Sequence, residues 1–176
     1  MNALALLARG AATLSTRADA AGQWAAIDEL LGQLYTHGLF TALLHLPEHG
    51  LMKRLYTSDE NVSPLGGFKA TGSGPWSSHV LGRGEIYVGS NATDIRTVFS
   101  EGDMLAARGL EAVLNIPVWH AGRVIGSLNL LNGEGAYDAA SHDVAQVVAA
   151  MCVPCFIAAA DAVDVTGIDK AGLDKV

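Results

Sequence analysis

The chain has 176 residues, half of them apolar and 16% charged, with a formal charge of −7. That length fits one domain and is enough to bury about 70% of the unfolded chain's surface. The charged share falls below the roughly 25% of an ordinary soluble domain, so part of the surface is expected to be covered, most simply in a homodimer. An acidic chain without a Lys/Arg cluster repels phosphate backbones, which argues against nucleic acid. Two cysteines make no disulfide framework. No uninterrupted apolar run reaches the roughly 18 residues of a membrane span. The apolar stretch Ala3–Ala8 has no basic segment before it and is interrupted by Arg9, so it reads poorly as a signal peptide. The default expectation is a cytoplasmic protein with no membrane partner.

Leu4, Leu7 and Ala8 suggest a short first helix. A second, capped by Ser15 or Thr16, runs to about Tyr35, with Trp24, Ile27, Leu31 and Leu34 at helical spacing. Leu39–Leu46 and Leu51–Thr57 read as strands joined by the turn Pro47-Glu48-His49-Gly50. Ser58–Gly74 is rich in Gly, Ser and Pro and reads as a long loop. Pro75 opens a helix that ends near Gly82 or Gly84, and Glu85–Val88 is a short strand. Thr93 caps a helical turn carrying Ile95, Val98 and Phe99. Ser100 and Asp103 form a capping-box pattern before a helix closed by Gly109. Two long strands follow, Ala112–Trp119 and Val124–Leu131, then an Ala/Val-rich helix over about Asp138–Val163. Residues 164–176 mix Asp, Gly and Lys and read as a frayed tail. Two hairpins, a loop-rich insert and flanking helices indicate a single α+β domain on a mostly antiparallel sheet.

Over Gln23–Asp161 that order resembles the GAF domain. The most specific stretch is Gly84–Leu131: Glu-Ile-Tyr-Val, Asn-Ala-Thr-Asp-Ile-Arg, Gly-Leu-Glu-Ala-Val-Leu-Asn-Ile-Pro-Val, and the closing Gly-Arg-Val-Ile-Gly-Ser-Leu-Asn-Leu of 122–130. The resemblance implies a GAF/PAS-like central antiparallel sheet. Terminal helices, which often pair in dimers, cover one face. Short helices and loops roof a small-molecule pocket on the other. With no output domain in the chain, it implies a sensor that signals in trans, through a homodimer or a separate signalling protein.

The face of the pocket follows from alternation. A two-residue turn at Ala121-Gly122 demands positive φ at Ala121, so a three-residue loop, His120-Ala121-Gly122, is expected. That register puts Val113, Asn115, Pro117, Trp119, Ile125, Ser127, Asn129 and Leu131 on one face. Leu114, Ile116, Val118, Val124, Gly126, Leu128 and Leu130 fall on the other. The second set carries no polar side chain and suits helices. The first holds Asn115, Ser127 and Asn129, which need partners when covered, either a ligand or nearby loop backbone. At α-helical spacing Trp76, His79, Val80 and Arg83 share one face of the roof. Asp94 and Arg96 sit in the next roof turn, and Arg108 ends the last one. Trp76, His79, Asp94, Arg96, Arg108, Asn115, Ser127 and Asn129 are therefore the candidate ligand residues. They suit a small polar or anionic ligand better than a greasy one.

Cys152-Val153-Pro154-Cys155 has the spacing of a redox motif but no βαβ context, so buried apolar cysteines are expected, with Pro154 kinking or restarting the helix. No metal and no cofactor is expected. The enzymatic alternative is a small GAF-fold enzyme. The free methionine-R-sulfoxide reductases of this family use loop cysteines and strand carboxylates. Here Ser58–Gly109 has no cysteine, and the carboxylate positions fall on Val113, Asn129 and Leu131. An acid–base pair of His79 and Asp94 is the remaining catalytic reading.

Overall fold

The computed structural model describes residues 2–173 and residue 175. Helix α1 (Ala3–Ser15) is capped by Asn2, whose Oδ1 accepts from the Ala5 amide at 2.9 Å. Helix α2 (Ala20–Tyr35) is capped by Asp19, which accepts from the Gly22 amide at 2.8 Å. Ser15 and Thr16 do not cap α2 as expected. Their hydroxyls donate backwards to the carbonyls of Ala12 and Thr13, so they close α1 instead. Within α2, Trp24, Ile27 and Leu31 are buried, as the helical spacing requires.

Six strands form one antiparallel sheet in the order β3-β2-β1-β6-β5-β4. They are β1 (Leu39–Leu46), β2 (Leu51–Thr57), β3 (Phe68–Ala70), β4 (Tyr87–Gly89), β5 (Ala112–His120) and β6 (Arg123–Asn132). The strand β3 lies inside the segment expected to be loop, and β4 starts two residues later than the pattern suggested. Helices α2 and α5 (His142–Ala162) cover one face, and α1 packs on α2. The core there joins Trp24, Phe40, Leu114, Leu128, Val148 and Phe156. Helix α5 approaches β6 closely: a Cβ on Gly126 would lie 2.2 Å from the Phe156 ring and 2.5 Å from the Leu43 carbonyl oxygen. Only glycine fits that crossing.

Helix α5 is long and apolar enough, by length and composition alone, to cross a membrane. Here it lies against the sheet, with Ala145, Val148, Cys152 and Phe156 buried on its inner side. It runs unbroken through Pro154. Proline removes the bond to the Ala150 carbonyl. Both Pro154 and Ala150 are exposed, so water can take that carbonyl and no restart is needed. Beyond α5, Val165, Ile168 and Leu173 pack on the helix-side core, and Lys175 bridges to Ala70 at the sheet edge.

The β5–β6 hairpin corrects the expected three-residue loop. His120 pairs with Arg123, leaving Ala121-Gly122 as a two-residue turn with φ of 49° and 78°. The turn's twist matches the strands, which outweighs the cost of about 1 kcal/mol for a left-handed alanine. The offset is absorbed farther along, where Val118 pairs with Gly126 but Trp119 with Val124. Ile125 is the extra residue of a β-bulge. It packs toward the helices while Val124 joins the roof-side cluster, so these two exchange the faces assigned to them. From Val113 to Val118 and from Gly126 to Leu131 the expected faces stand.

Candidate functional site

The other face of the sheet is roofed by the loop after β2, by a π-helical segment (Ser77–Gly82) and by α3 (Ala92–Val98) and α4 (Gly102–Ala106). The turn opened by Pro75 is wider than α-helical: the Arg83 amide reaches the Ser78 carbonyl, five residues back, at 3.0 Å. Trp76, Ser77, Val80 and Leu81 consequently point inward, and His79 leaves the Trp76 face.

Trp76 begins a buried polar chain. Its indole N–H donates to Asn115 Oδ1 at 3.0 Å, and Asn115 Nδ2 donates to Asn129 Oδ1 at 2.7 Å. Asn129 Nδ2 makes long contacts of 3.4 Å to the Thr41 carbonyl and hydroxyl oxygens. An indole N–H can only donate. It therefore obliges Asn115 to present its oxygen, and Asn115 in turn obliges Asn129 to do the same. The Asn129 amide nitrogen is left facing onward, and Asn129 lines a cavity. The chain thus fixes which way the Asn129 amide points, its nitrogen toward Thr41, which also lines the cavity.

That cavity lies between sheet and roof. Leu39, Thr41, Leu43, Asn129 and Leu131 form its sheet side, and Trp76, Phe99, Met104 and Leu105 its roof. Its volume is about 60 Å³, several times the roughly 10–15 Å³ that a single water needs. Arg54, Lys69 and Glu101, with Val62 and Ser63 of the loop, complete the wall. Lys69 Nζ is ion-paired with Glu101. Burial would raise the Glu101 pKa, but the hydrogen bond and charge of Lys69 outweigh it and hold the carboxylate below its usual range. Burial lowers the Arg54 pKa, opposed by the nearby Glu101 charge. The Arg54 guanidinium donates from Nη1 to the Pro64 carbonyl at 2.9 Å, while its buried Nε has no partner. Two cations face one acid here, in a chain whose net charge is −7.

Of the candidate residues, Trp76 and Asn129 line the cavity, and Asn115 sits behind them as the relay. Ser127 is buried on the same face with no partner for its hydroxyl, but away from the cavity wall. The other four are engaged elsewhere. His79 Nε2 donates to the Ile86 carbonyl at 3.0 Å, and its Nδ1 accepts from Arg83 at 2.5 Å. Asp94 accepts from the Ser90 amide at 2.8 Å and from Asn91, whose own side chain caps α3 in place of Thr93. Arg96 pairs with Asp103 at 2.6 Å, and that pairing, with Ser100 turned to Glu101, displaces the expected capping box. Arg108 is exposed and reaches the Asn61 carbonyl at 3.5 Å.

Sequence reasoning missed Arg54, Lys69, Glu101 and Thr41. Strict alternation along β2 would group Arg54 with Tyr56. A β-bulge between Ala42 and Leu43 pairs Ala42 with Tyr56 and Leu43 with Arg54, making Leu55 the extra residue. Leu55 and Tyr56 both turn to the helices, and Arg54 is left on the cavity side. Lys69 sat in the presumed loop. Thr41 was readable, since it alternates with Leu39 and Leu43.

Both cysteines are free and buried. Burial raises both thiol pKa values, and Cys155 Sγ donates to Gln23 Oε1 at 3.4 Å. Neither is poised as a thiolate.

No family model matches the chain, and no curated protein matches its sequence. Solved structures match its fold. The GAF domain of an Acinetobacter phosphoenolpyruvate-protein phosphotransferase superposes with a TM-score of 0.72 at 14% identity, covering 92% of this chain and 98% of that one. The GAF domain of A. aeolicus nlh2, in an inactive state, gives 0.66 at 12% identity, covering 89% and 96%. The free methionine-R-sulfoxide reductase of Neisseria meningitidis, solved with its substrate, gives 0.55 at 14% identity, covering 90% of each chain. The chain has the GAF fold.

Proposed function

We infer that this GAF-fold chain is a small-molecule-binding sensory module whose ligand is a small polar or anionic metabolite. One observation carries the reading. A cavity of about 60 Å³ is floored by the locked Asn129 donor and walled by Arg54 and Lys69. Donors and cations converging on a small, partly apolar space suit an oxygen-rich anion. The fold is shared by the GAF domain of the phosphotransferase and by a reductase. Among the described residues no His or Cys lines this cavity, and its acid, Glu101, is ion-paired. Binding is therefore favoured over acid–base or redox chemistry.

The module signals in trans, as a cytoplasmic homodimer through its terminal helices. The outward side of α5 supports this. Val147, Ala150, Pro154 and Ala158 form an exposed stripe with no charged residue between Asp143 and Asp161. Leu4 on α1 is also exposed. Native mass spectrometry of protein purified from its own host tests both parts. A dimer with a reproducible extra small mass per subunit is the expected result, and Val147→Glu should turn it monomeric. A ligand-free monomer that no small anion stabilises would sink the reading.

A further inference from the structure

Lys69 and Glu101 lie on different bodies. Lys69 is on the edge strand β3, while Glu101 sits in the roof immediately before α4. Their ion pair joins roof to sheet across the cavity wall. Glu101 does not cap α4; locally its carboxylate accepts from the Ser100 hydroxyl at 2.9 Å. Helices α3 and α4 pack tightly on each other: a Cβ on Gly102 would meet the Arg96 backbone at 2.7 Å. A carboxylate belonging to the protein thus occupies the cation that faces the cavity, and Arg54 beside it keeps its buried Nε unpartnered. Across the cavity the locked Asn129 nitrogen makes only long contacts of 3.4 Å.

The geometry points to Glu101 as a tethered stand-in for the ligand's own group. The ligand is a short carboxylate carrying a second oxygen. Its carboxylate displaces Glu101 from Lys69 and reaches Arg54, its other oxygen accepts from Asn129 Nδ2, and the α3–α4 roof piece is released from β3. This rests on the small-molecule reading above and specifies what is recognised and how recognition reaches the surface. Exchange of one carboxylate for another on Lys69 costs little Coulomb energy, so the second oxygen and the size of the cavity set the selectivity.

The test is calorimetric titration of the full chain with sodium pyruvate, sodium acetate and acetamide, repeated on Glu101→Gln and Lys69→Met. Pyruvate should bind best, with acetate on the order of tenfold weaker for want of the second oxygen. Glu101→Gln should bind pyruvate on the order of fivefold tighter, since a partly exposed pair must no longer be broken. Lys69→Met should lose at least about tenfold. Amide exchange over Gly102–Ala106 should quicken with pyruvate and in Glu101→Gln alike. Equal or weaker pyruvate binding by Glu101→Gln would overturn the stand-in role. Acetamide binding without pyruvate binding would overturn the carboxylate while leaving a small-molecule pocket. No binding of any of the three to any variant would overturn the short carboxylate, while a bound mass in native mass spectrometry would still uphold the small-molecule reading.

Discussion

The two faces of the sheet are built from the same strands to opposite standards. On the helix side Leu114, Ile116, Leu128 and Leu130 meet Trp24, Val148 and Phe156 without a polar side chain among them, and α5 comes close enough to require Gly126. On the roof side the same strands contribute Asn115, Ser127 and Asn129, a serine hydroxyl is left unpartnered, and a cavity remains. Close packing favours one arrangement, because any gap forfeits contacts. A half-satisfied polar layer instead leaves groups whose best partner can be a molecule from outside. On the proposed function, stability and recognition are assigned to opposite faces.

Large substitutions on the two sides should therefore fail in different ways. Phe156→Ala empties a fully buried position against Gly126. It should cost about 3–5 kcal/mol, lowering the Tm by roughly 6–20 °C for a chain this size. Ligand affinity in the surviving folded fraction should stay within about twofold, since Phe156 is remote from the cavity wall. A matching loss of affinity, measured by calorimetry below the transition, would break the division between faces.

Asn129→Leu is the converse. It strips Asn115 Nδ2 of its acceptor, which costs about 1–3 kcal/mol for the orphaned donor, partly offset by the added apolar burial. Affinity for a small anion should fall by more than tenfold. Trp76→Phe should act in the same direction more gently, about 1 kcal/mol in stability. Without the indole donor, Asn115 is free to turn over and Asn129 is no longer obliged to offer its nitrogen. If Trp76→Phe left affinity unchanged while Asn129→Leu abolished it, the floor donor would be set by something other than the relay.

The same division explains what the sequence could tell. Helix-side positions obey simple periods: Trp24, Ile27 and Leu31 at helical spacing, Leu114 to Val118 by alternation. Apolar burial rewards those periods directly, and the fold class followed from them. The roof side departs from those periods at three points. The bulges at Leu55 and Ile125 shift the alternation by one, and the π turn after Trp76 moves His79 off the expected face. Asn115 and Asn129 were legible because they interrupt an apolar strand face between the bulges. Arg54 and Glu101 were not. Their positions depend on a bulge and on the docking of a short roof helix, and neither leaves a composition signal.

The smallest expected effect tests whether the helix side is as inert toward solution conditions as its packing suggests. At its margin Asp28 on α2 accepts from Tyr56 on β2 at 2.5 Å and pairs with His37 at 2.9 Å, next to Thr36 with its positive φ of 54°. Burial disfavours the charged form of His37, but the hydrogen bond and charge of Asp28 prevail and raise its pKa. Burial likewise opposes ionisation of Asp28, and the bonds from His37 and Tyr56 prevail to lower its pKa. The signs then bound a window. The His37 contribution is complete below its ordinary value of 6.5 and lost as pH rises through the raised value. The Asp28 contribution is complete above its ordinary value of 3.8 and lost as pH falls through the lowered one. The pair's contribution to thermal stability should therefore peak between these two ordinary values and decline on the alkaline side by a few tenths to about 1 kcal/mol, small because the pair is partly exposed. In His37→Gln that alkaline decline should vanish between pH 6 and about 8 while ligand affinity stays the same. If the variant kept the full decline, the titrating group would have to lie elsewhere. If affinity changed with it, the two faces would be coupled through α2 and β2, and the separation drawn here would fail at its edge.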